Sequence, residues 1–436
     1  MKNHSLTLIA LLALGSALPA QAFDLVGAWQ AARDYNADFA AARAQREAGQ
    51  EKLVQGRSQL LPQASVSGNY SYTNPIQPSS AQRRYESHGY NVGVQQPLFD
   101  VGKYTGYQKG KIGTLLADTA FSAAEQQLIL DIAQAYFDVL RARDTLAATR
   151  ASKKTYQNLL EQAKTAFEVG TATITDTHEA QAGYDGAVAQ EISDANNLEL
   201  AENNLKRLTG LEPSAIQSVR EQLPLDPPKP AGLDAWVGMA LRGSLKIQNA
   251  EQNLQLTEQT ITEKRGNHLP TVNLTAGYND AISNQPSLFN QQHTRGSSVG
   301  VTVTLPLFAG GGINSQVREA VAQRDAARDQ LEAARRQVKE DVRKAFLGVT
   351  NGAALVRAQQ QLLVSAKSKV ESTRLGKEVG IRTSIDLLQA EQAYYTALTT
   401  LANAKYSYLT AKLALAQSAG QLQPETLGEV NQLIVR

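Results

Sequence analysis

Leu128, Ile132, Ala135, Val139, Ala142, Leu146, Thr149, Lys153, Tyr156, Leu160, Ala163 and Phe167 follow the 4,3,4,3 spacing of a coiled-coil seam. Shifted by 210 residues, the seam returns as Val338, Val342, Ala345, Val349, Gly352, Val356, Gln359, Leu363, Ala366, Val370, Thr373 and Lys377. Heptads sustained over this length argue for long paired helices and against a globular helix. Helical periodicity begins just after Phe99 and ends near Val169. About 65 residues at 1.5 Å each make a rod of roughly 100 Å. Small and polar residues in the seam suit a wide array of helices better than a tight two-helix rope.

Around the seam the whole chain is written twice. Leu61-Pro62 returns as Leu269-Pro270, 208 residues on, and Pro97-Leu98-Phe99 as Pro306-Leu307-Phe308, 209 on. The turn Phe167-Glu168-Val169-Gly170 returns as Lys377-Glu378-Val379-Gly380, and Leu208-Thr209-Gly210 as Ser418-Ala419-Gly420. A nearly constant offset means duplication of a structural unit. The first copy spans 23–210 and the second 233–420, each reading as helix, β-hairpin, long helix, helix. Between them 211–232 is proline-rich (Pro213, Pro224, Pro227, Pro228, Pro230), and 421–436 forms a short tail. Both read as segments packed around the middle of the rod.

Each copy changes period after its first helix. Residues 24–61 read as one helix, with Leu25, Trp29, Ala32, Ala40, Ala44 and Leu53 at helical spacing, ended by Pro62. Val66, Gly68, Tyr70 and Tyr72 then alternate with Ser65, Ser67, Asn69, Ser71 and Thr73; Tyr90, Val92 and Val94 alternate with Asn91, Gly93 and Gln95. The second copy places Val272, Leu274, Ala276 and Tyr278 on one face, then Val299, Val301, Val303 and Leu305. The hairpins are expected over 63–97 and 271–306. One apolar and one polar face over about ten residues is what an outer-membrane barrel requires, although a soluble half-buried hairpin alternates in the same way. The polar connections 74–87 and 282–296 are expected to face outside the cell.

The N-terminus carries Lys2, an apolar core from Leu6 to Leu18, and Ala20-Gln21-Ala22 before Phe23. This is the pattern of a secretory signal peptide over 1–22. The chain has no cysteine, so no lipid-bearing N-terminal cysteine, disulfide or thiolate metal site is expected. No later apolar run has transmembrane-helix length, so strands must make any membrane crossing. Forty-three basic residues against 41 acidic give no electrostatic reason to propose nucleic acid.

Few residues suggest chemistry. Gly296-Ser297-Ser298-Val299-Gly300 matches the G-x-S-x-G string, but that motif needs a sharp strand-to-helix turn, and here it runs into an alternating strand. A hydrolase built on Ser298 is the reading it would support. Gly310-Gly311-Gly312 lacks the Gly-Lys-Ser/Thr ending of a phosphate loop. His88, His178, His268 and His293 have no ligand spacing to one another. No catalytic, metal or cofactor site is expected. The informative polar residues sit at the two Val-Gly turns, where Asp176 and Asp386 occupy equivalent positions at a helix start. There a carboxylate favours the N-terminal dipole, and the turns are also the far end of the rod, where a tube would close.

The Val-Gly-x-x-x-x-x-Asp turns, the Leu-Pro switches, the Pro-Leu-Phe returns and Leu-Thr-Gly at the end of the first copy together resemble the TolC family of outer-membrane channel proteins, over essentially all of 23–420. The resemblance implies a mainly α fold with membrane β. Three protomers would give four strands each to one twelve-stranded barrel, continuous with a long α-helical periplasmic barrel. It implies a passive exit duct engaged by a periplasmic adaptor and an inner-membrane ABC or proton-driven transporter, for efflux, type I protein secretion or both. By position, Asp386 takes the first acidic ring of the pore constriction, and Gln389 the place where a second acid is often found. Arg382 and Asp176 match linking residues that hold the tip closed. Lys377 falls where an aromatic linker can occur and would reach Asp176 as a second cation. The alternative from another class is a soluble periplasmic coiled-coil adaptor.

Overall fold

A computed structural model describes residues 24–74, 84–213, 216–220, 222–284 and 292–434. The expected signal peptide, residues 75–83 and 285–291 of the hairpin connections (with Pro75, Pro78, Ser80 and Pro286) and the last two residues lie outside the described residues. The first copy runs α1 (Leu25–Tyr35), α2 (Ala37–Ser58), β1 (Gln63–Thr73), β2 (Tyr85–Phe99), α3 (Val101–Glu168) and α4 (Ile174–Thr209). The second runs α5 (Leu233–Gly243), α6 (Leu245–Gly266), β3 (Thr271–Ser283), β4 (Gln292–Thr304), α7 (Gly312–Glu378) and α8 (Ser384–Ser418), followed by α9 (Pro424–Asn431).

The single helix expected over 24–61 is instead two. Asn36 leaves helical geometry at ψ 121°, and its Oδ1 accepts the Phe39 N–H at 2.9 Å, capping α2. Ser244 adopts nearly the same backbone at the equivalent place, ψ 123°, between α5 and α6. A small polar residue can supply such a break without glycine or proline. The tail likewise holds the helix α9, started by Pro424 at its first turn.

Helices α3 and α7 have 68 and 67 residues, so each is about 100 Å long. The heptad positions face inward: Leu128, Ile132, Val139, Leu146, Tyr156, Leu160 and Ala163 on α3 are buried, as are Val338, Val342, Val349, Val356, Ala366 and Val370 on α7. Their partners are the returning helices α4 and α8. The two copies join along α3 and α6 through the Lys109–Glu263 ion pair and a 2.9 Å hydrogen bond from Gln252 to Thr119.

Bulky residues concentrate midway along the rods. Tyr136, Phe137, Tyr406 and Tyr408 are fully enclosed together with Trp29 and Trp236 of the short helices. Polar atoms in and around this core strap the interdomain segment down. Tyr136 donates to the Gln217 carbonyl at 2.9 Å, Trp236 to the Pro230 carbonyl at 2.7 Å, and Arg357 to the Leu225 carbonyl at 2.7 Å. Burial pushes the Tyr136 and Tyr406 phenols well above their usual pKa, so they stay protonated donors. The tail closes the same girdle: the Asn431 amide bonds Asp24 at 2.8 Å, and Val219 bridges Ile434.

The four strands form one antiparallel sheet in the order β1-β2-β3-β4. Its register places Val66 opposite Val92, Val92 opposite Tyr278 and Leu274 opposite Val301, so the apolar positions of all four strands share one face. Ser67, Asn91, Asn279 and Gly296 share the other. The apolar face rises about 20 Å from Val272 to Tyr278. It ends at tyrosines 70, 90 and 278; Tyr90 and Tyr278 lie 6.2 Å apart between ring centroids. Beyond them Asp280 pairs with Arg295 at 2.9 Å and His293 at 2.7 Å. An apolar band edged by aromatics and then charges is the profile of a strand crossing a bilayer. Among the described residues no helix is long and apolar enough to cross a membrane. The Gly296–Gly300 string lies wholly within β4, in extended backbone rather than at an elbow.

Candidate functional site

The far end of the helical rods is built by two equivalent turns. Gly170 and Gly380 take positive φ, 76° and 79°, a geometry that ends a helix at little cost only for glycine. The chain re-enters helix four residues later through a capping box in each copy. Thr173 Oγ1 accepts the Asp176 N–H at 3.2 Å, and Asp176 Oδ2 accepts the Thr173 N–H at 2.9 Å and its hydroxyl at 2.7 Å. Thr383 and Asp386 repeat this at 3.1, 2.9 and 3.0 Å. The box satisfies donors that the first turn of a helix otherwise leaves open.

These bonds set the charge of the turns. The Thr383 backbone N–H and hydroxyl hold the Asp386 carboxyl below the usual carboxylate range, with Arg382 and Lys369 adding to the effect. Asp176 is lowered first by Thr173 and then by the Lys377 ammonium. Lys377 is partly desolvated, which lowers its pKa against the opposing pull of Asp176. Asp176 and Lys377 thus sense each other's charge between the two turns, without a direct ion pair within 4.0 Å. Arg382 does not meet Asp176 within one protomer. Its stem lies over Gly376, where an added Cβ would come within 2.7 Å of the arginine Cγ. Gln389 is exposed and lines a groove between α8 and α4 that also includes Gly183, Gly186 and Tyr395.

Contacts that sequence reasoning missed tie the helices together toward the tip. Leu387 packs with Tyr156, Leu159 and Ala187 in a small buried cluster near the tip. The Thr155 and Tyr395 hydroxyls bond at 2.9 Å between α3 and α8. Glu391, only 3% exposed, receives Arg374 at 2.9 Å and fastens α8 to α7. Glu391 follows Leu387 by one helical turn, so an acid on an otherwise apolar stripe was the signal available. Thr155 and Tyr395 carried no such signal.

Comparison with known proteins adds to this geometry. A family model described as "Outer membrane efflux protein" matches residues 28–211 and 236–421, one match per copy of the repeat. Outer membrane protein TolC of Salmonella enteritidis is 32% identical over 439 residues, covering 99% of this chain and 89% of the relative. Alkaline protease secretion protein AprF of Pseudomonas aeruginosa is 32% identical over 415 residues, 93% of this chain and 86% of its own. Among solved structures, the CmeC outer membrane channel of Campylobacter jejuni superposes with a TM-score of 0.80 at 19% identity, covering 94% of this chain and 90% of CmeC.

Proposed function

The chain belongs to the outer membrane efflux protein family, and from that premise we propose that three copies close a twelve-stranded barrel whose helices continue as a gated periplasmic tube. The protein is an outer-membrane channel of the efflux and type I secretion class. The observation that supports the assembly is the open four-stranded sheet, apolar on one face and polar on the other, standing on helices about 100 Å long. Four strands cannot close a barrel, since the smallest membrane barrels have about eight. Several chains must share one, most simply by cyclic symmetry. A soluble adaptor would instead leave Val66, Tyr70, Val299 and Val303 exposed to water.

In this reading the duct is passive. A periplasmic adaptor and an inner-membrane pump, ATP-driven or proton-driven, engage the helical end and open it. Relatives named for efflux and for protease secretion support small molecules and secreted proteins as the two cargo classes. Three Asp386 carboxylates then ring the axis, with three neutral Gln389 amides one turn along α8. Asp176 faces Lys377 within each protomer, and Arg382 extends beside the same turn; these groups hold the tip closed. Each link is at most partly buried and weak, and threefold repetition makes the set matter.

Planar-bilayer conductance of the purified protein tests this reading. Like charges that converge favour cations among them, more so in a narrow low-dielectric passage. The pore is expected to prefer cations and to be blocked by trivalent cations from the helical side. Asp386→Ala should weaken that block by about tenfold or more. Because the Thr383 N–H and hydroxyl hold the Asp386 carboxyl below its ordinary range, it keeps its charge as pH falls toward the usual carboxylate range. Cation preference should therefore be unchanged between about pH 7 and pH 5. Lys377→Ala should raise resting conductance. An ion preference untouched by Asp386→Ala would reduce Asp386 to a helix cap.

A further inference from the structure

The sheet has two unpaired edges, β1 and β4, and the duplication specifies how they meet. Inside one protomer Val66↔Val92 of the first hairpin returns as Leu274↔Val301 of the second. Residues of β1 and β3 are thus related by 208 positions, and those of β2 and β4 by 209, along the whole length of both hairpins. The β2–β3 ladder is the junction between one hairpin and the next, with Val92↔Tyr278, Gly93↔Gly277 and Val94↔Ala276. Applying the same offsets to that ladder carries β2 onto β4 and β3 onto β1 of a following copy.

We propose that β4 of each protomer pairs with β1 of the next with Val301 opposite Tyr70, Thr302 opposite Asn69 and Val303 opposite Gly68. The register rests on the assembly of several copies proposed above and goes beyond it by naming the residues that meet. Three observations support it. An open edge inside a bilayer leaves backbone N–H and C=O groups with neither water nor protein to pair with, so both edges must be taken up along their length. The seam repeats the side-chain chemistry of its internal template: valine against tyrosine at Val92↔Tyr278 and Val301↔Tyr70, valine against a small residue at Val94↔Ala276 and Val303↔Gly68. It also keeps apolar residues on one face, which any one-residue slip would reverse.

Exposure points the same way. Val301 and Val303 on the edge strand are 60% and 62% exposed, whereas their counterparts Val92 and Val94, flanked on both sides, are 38% and 39% exposed. Just past β4, Phe308 is 89% exposed, while its counterpart Phe99 is 46% exposed where it lies beside Val272. The same offsets set Phe308 beside Ala64 of the next protomer, which covers it.

The chain has no cysteine, so introduced pairs report without background. Directly opposed strand residues have Cα atoms about 4.5–5.5 Å apart, within disulfide reach, while diagonal neighbours stand about 7–8 Å apart, beyond it. The detergent-solubilised double variants Thr302→Cys/Asn69→Cys and Val301→Cys/Tyr70→Cys are oxidised with copper phenanthroline and separated on a denaturing gel. Both are expected to give covalent dimers and trimers, at least about tenfold more than Thr302→Cys with Ser67→Cys or with Ser71→Cys. Light scattering of the reduced variants supplies the assembly mass and shows that each one folds. A trimer that cross-links only through Ser67→Cys or Ser71→Cys, or through no pair, overturns the register and leaves the trimer standing. A mass other than a trimer overturns the threefold reading itself, and a monomer removes the seam with it.

Discussion

Val301→Arg is expected to cost about 2–4 kcal/mol in each protomer, the price of an arginine on the lipid face near the bilayer midplane. That corresponds to roughly 30-fold or more in each protomer's folding equilibrium. Val301 stands opposite Leu274 on the face that also carries Val66, Val92 and Ala276. The neighbouring Thr302 points to the opposite face, with Asn273 across from it. Thr302→Arg should therefore leave the protein near its normal level, with its charge in the aqueous lumen. The amount of assembled protein in isolated outer membranes is the measurement. Equal levels for the two variants would mean that the faces are assigned the wrong way or that no bilayer surrounds the sheet.

The second large effect is expected far from the membrane, at Gly420. Its φ of +70° is strained for any residue with a side chain, and an added Cβ would lie 2.2 Å from the Gly243 carbonyl oxygen. That atom belongs to backbone at the end of α5, so no rotamer change relieves the contact. Conformational strain of about 1–3 kcal/mol and overpacking of about 1–3 kcal/mol add, and Gly420→Ala should lose about 3 kcal/mol or more. Gly210 is its counterpart, at φ +73°, but an added Cβ there meets the Tyr35 ring at 2.7 Å. Tyr35 is largely exposed and its ring can swing aside, so Gly210→Ala should cost about half as much, mostly conformational strain. Denaturant midpoints of the two variants in detergent test the order. If Gly210→Ala is the worse of the two, the close packing between the end of α8 and the end of α5 is not what the contact distances imply.

Much of the fold was legible because its signals are local. A period of two set the faces of the strands from Val66 to Tyr72 and from Val299 to Val303. A period of 3.5 marked the buried seam from Leu128 to Ala163, and Val-Gly followed by an acid marked the two tips. The break at Asn36 was not legible, because Asn-Ala-Asp can continue a helix as readily as cap one. The site divided in the same way. Asp176 and Asp386 could be located as helix-start acids at the rod end, since a capping box lies within four residues of chain.

What those acids face was left to tertiary structure. The sequence by itself determined the duplication, the two hairpins with one apolar face each, the length of the rods and the position of the tips. Only the folded chain decided that Arg382 lies over Gly376 rather than meeting Asp176, and that Tyr395 reaches Thr155 from 240 residues away. Periodicity states which side of a helix is buried, and it is silent about which other helix buries it. Partners so distant in the chain are brought together by the packing of α8 against α3 and α4, and that packing depends on every side chain along the contact at once.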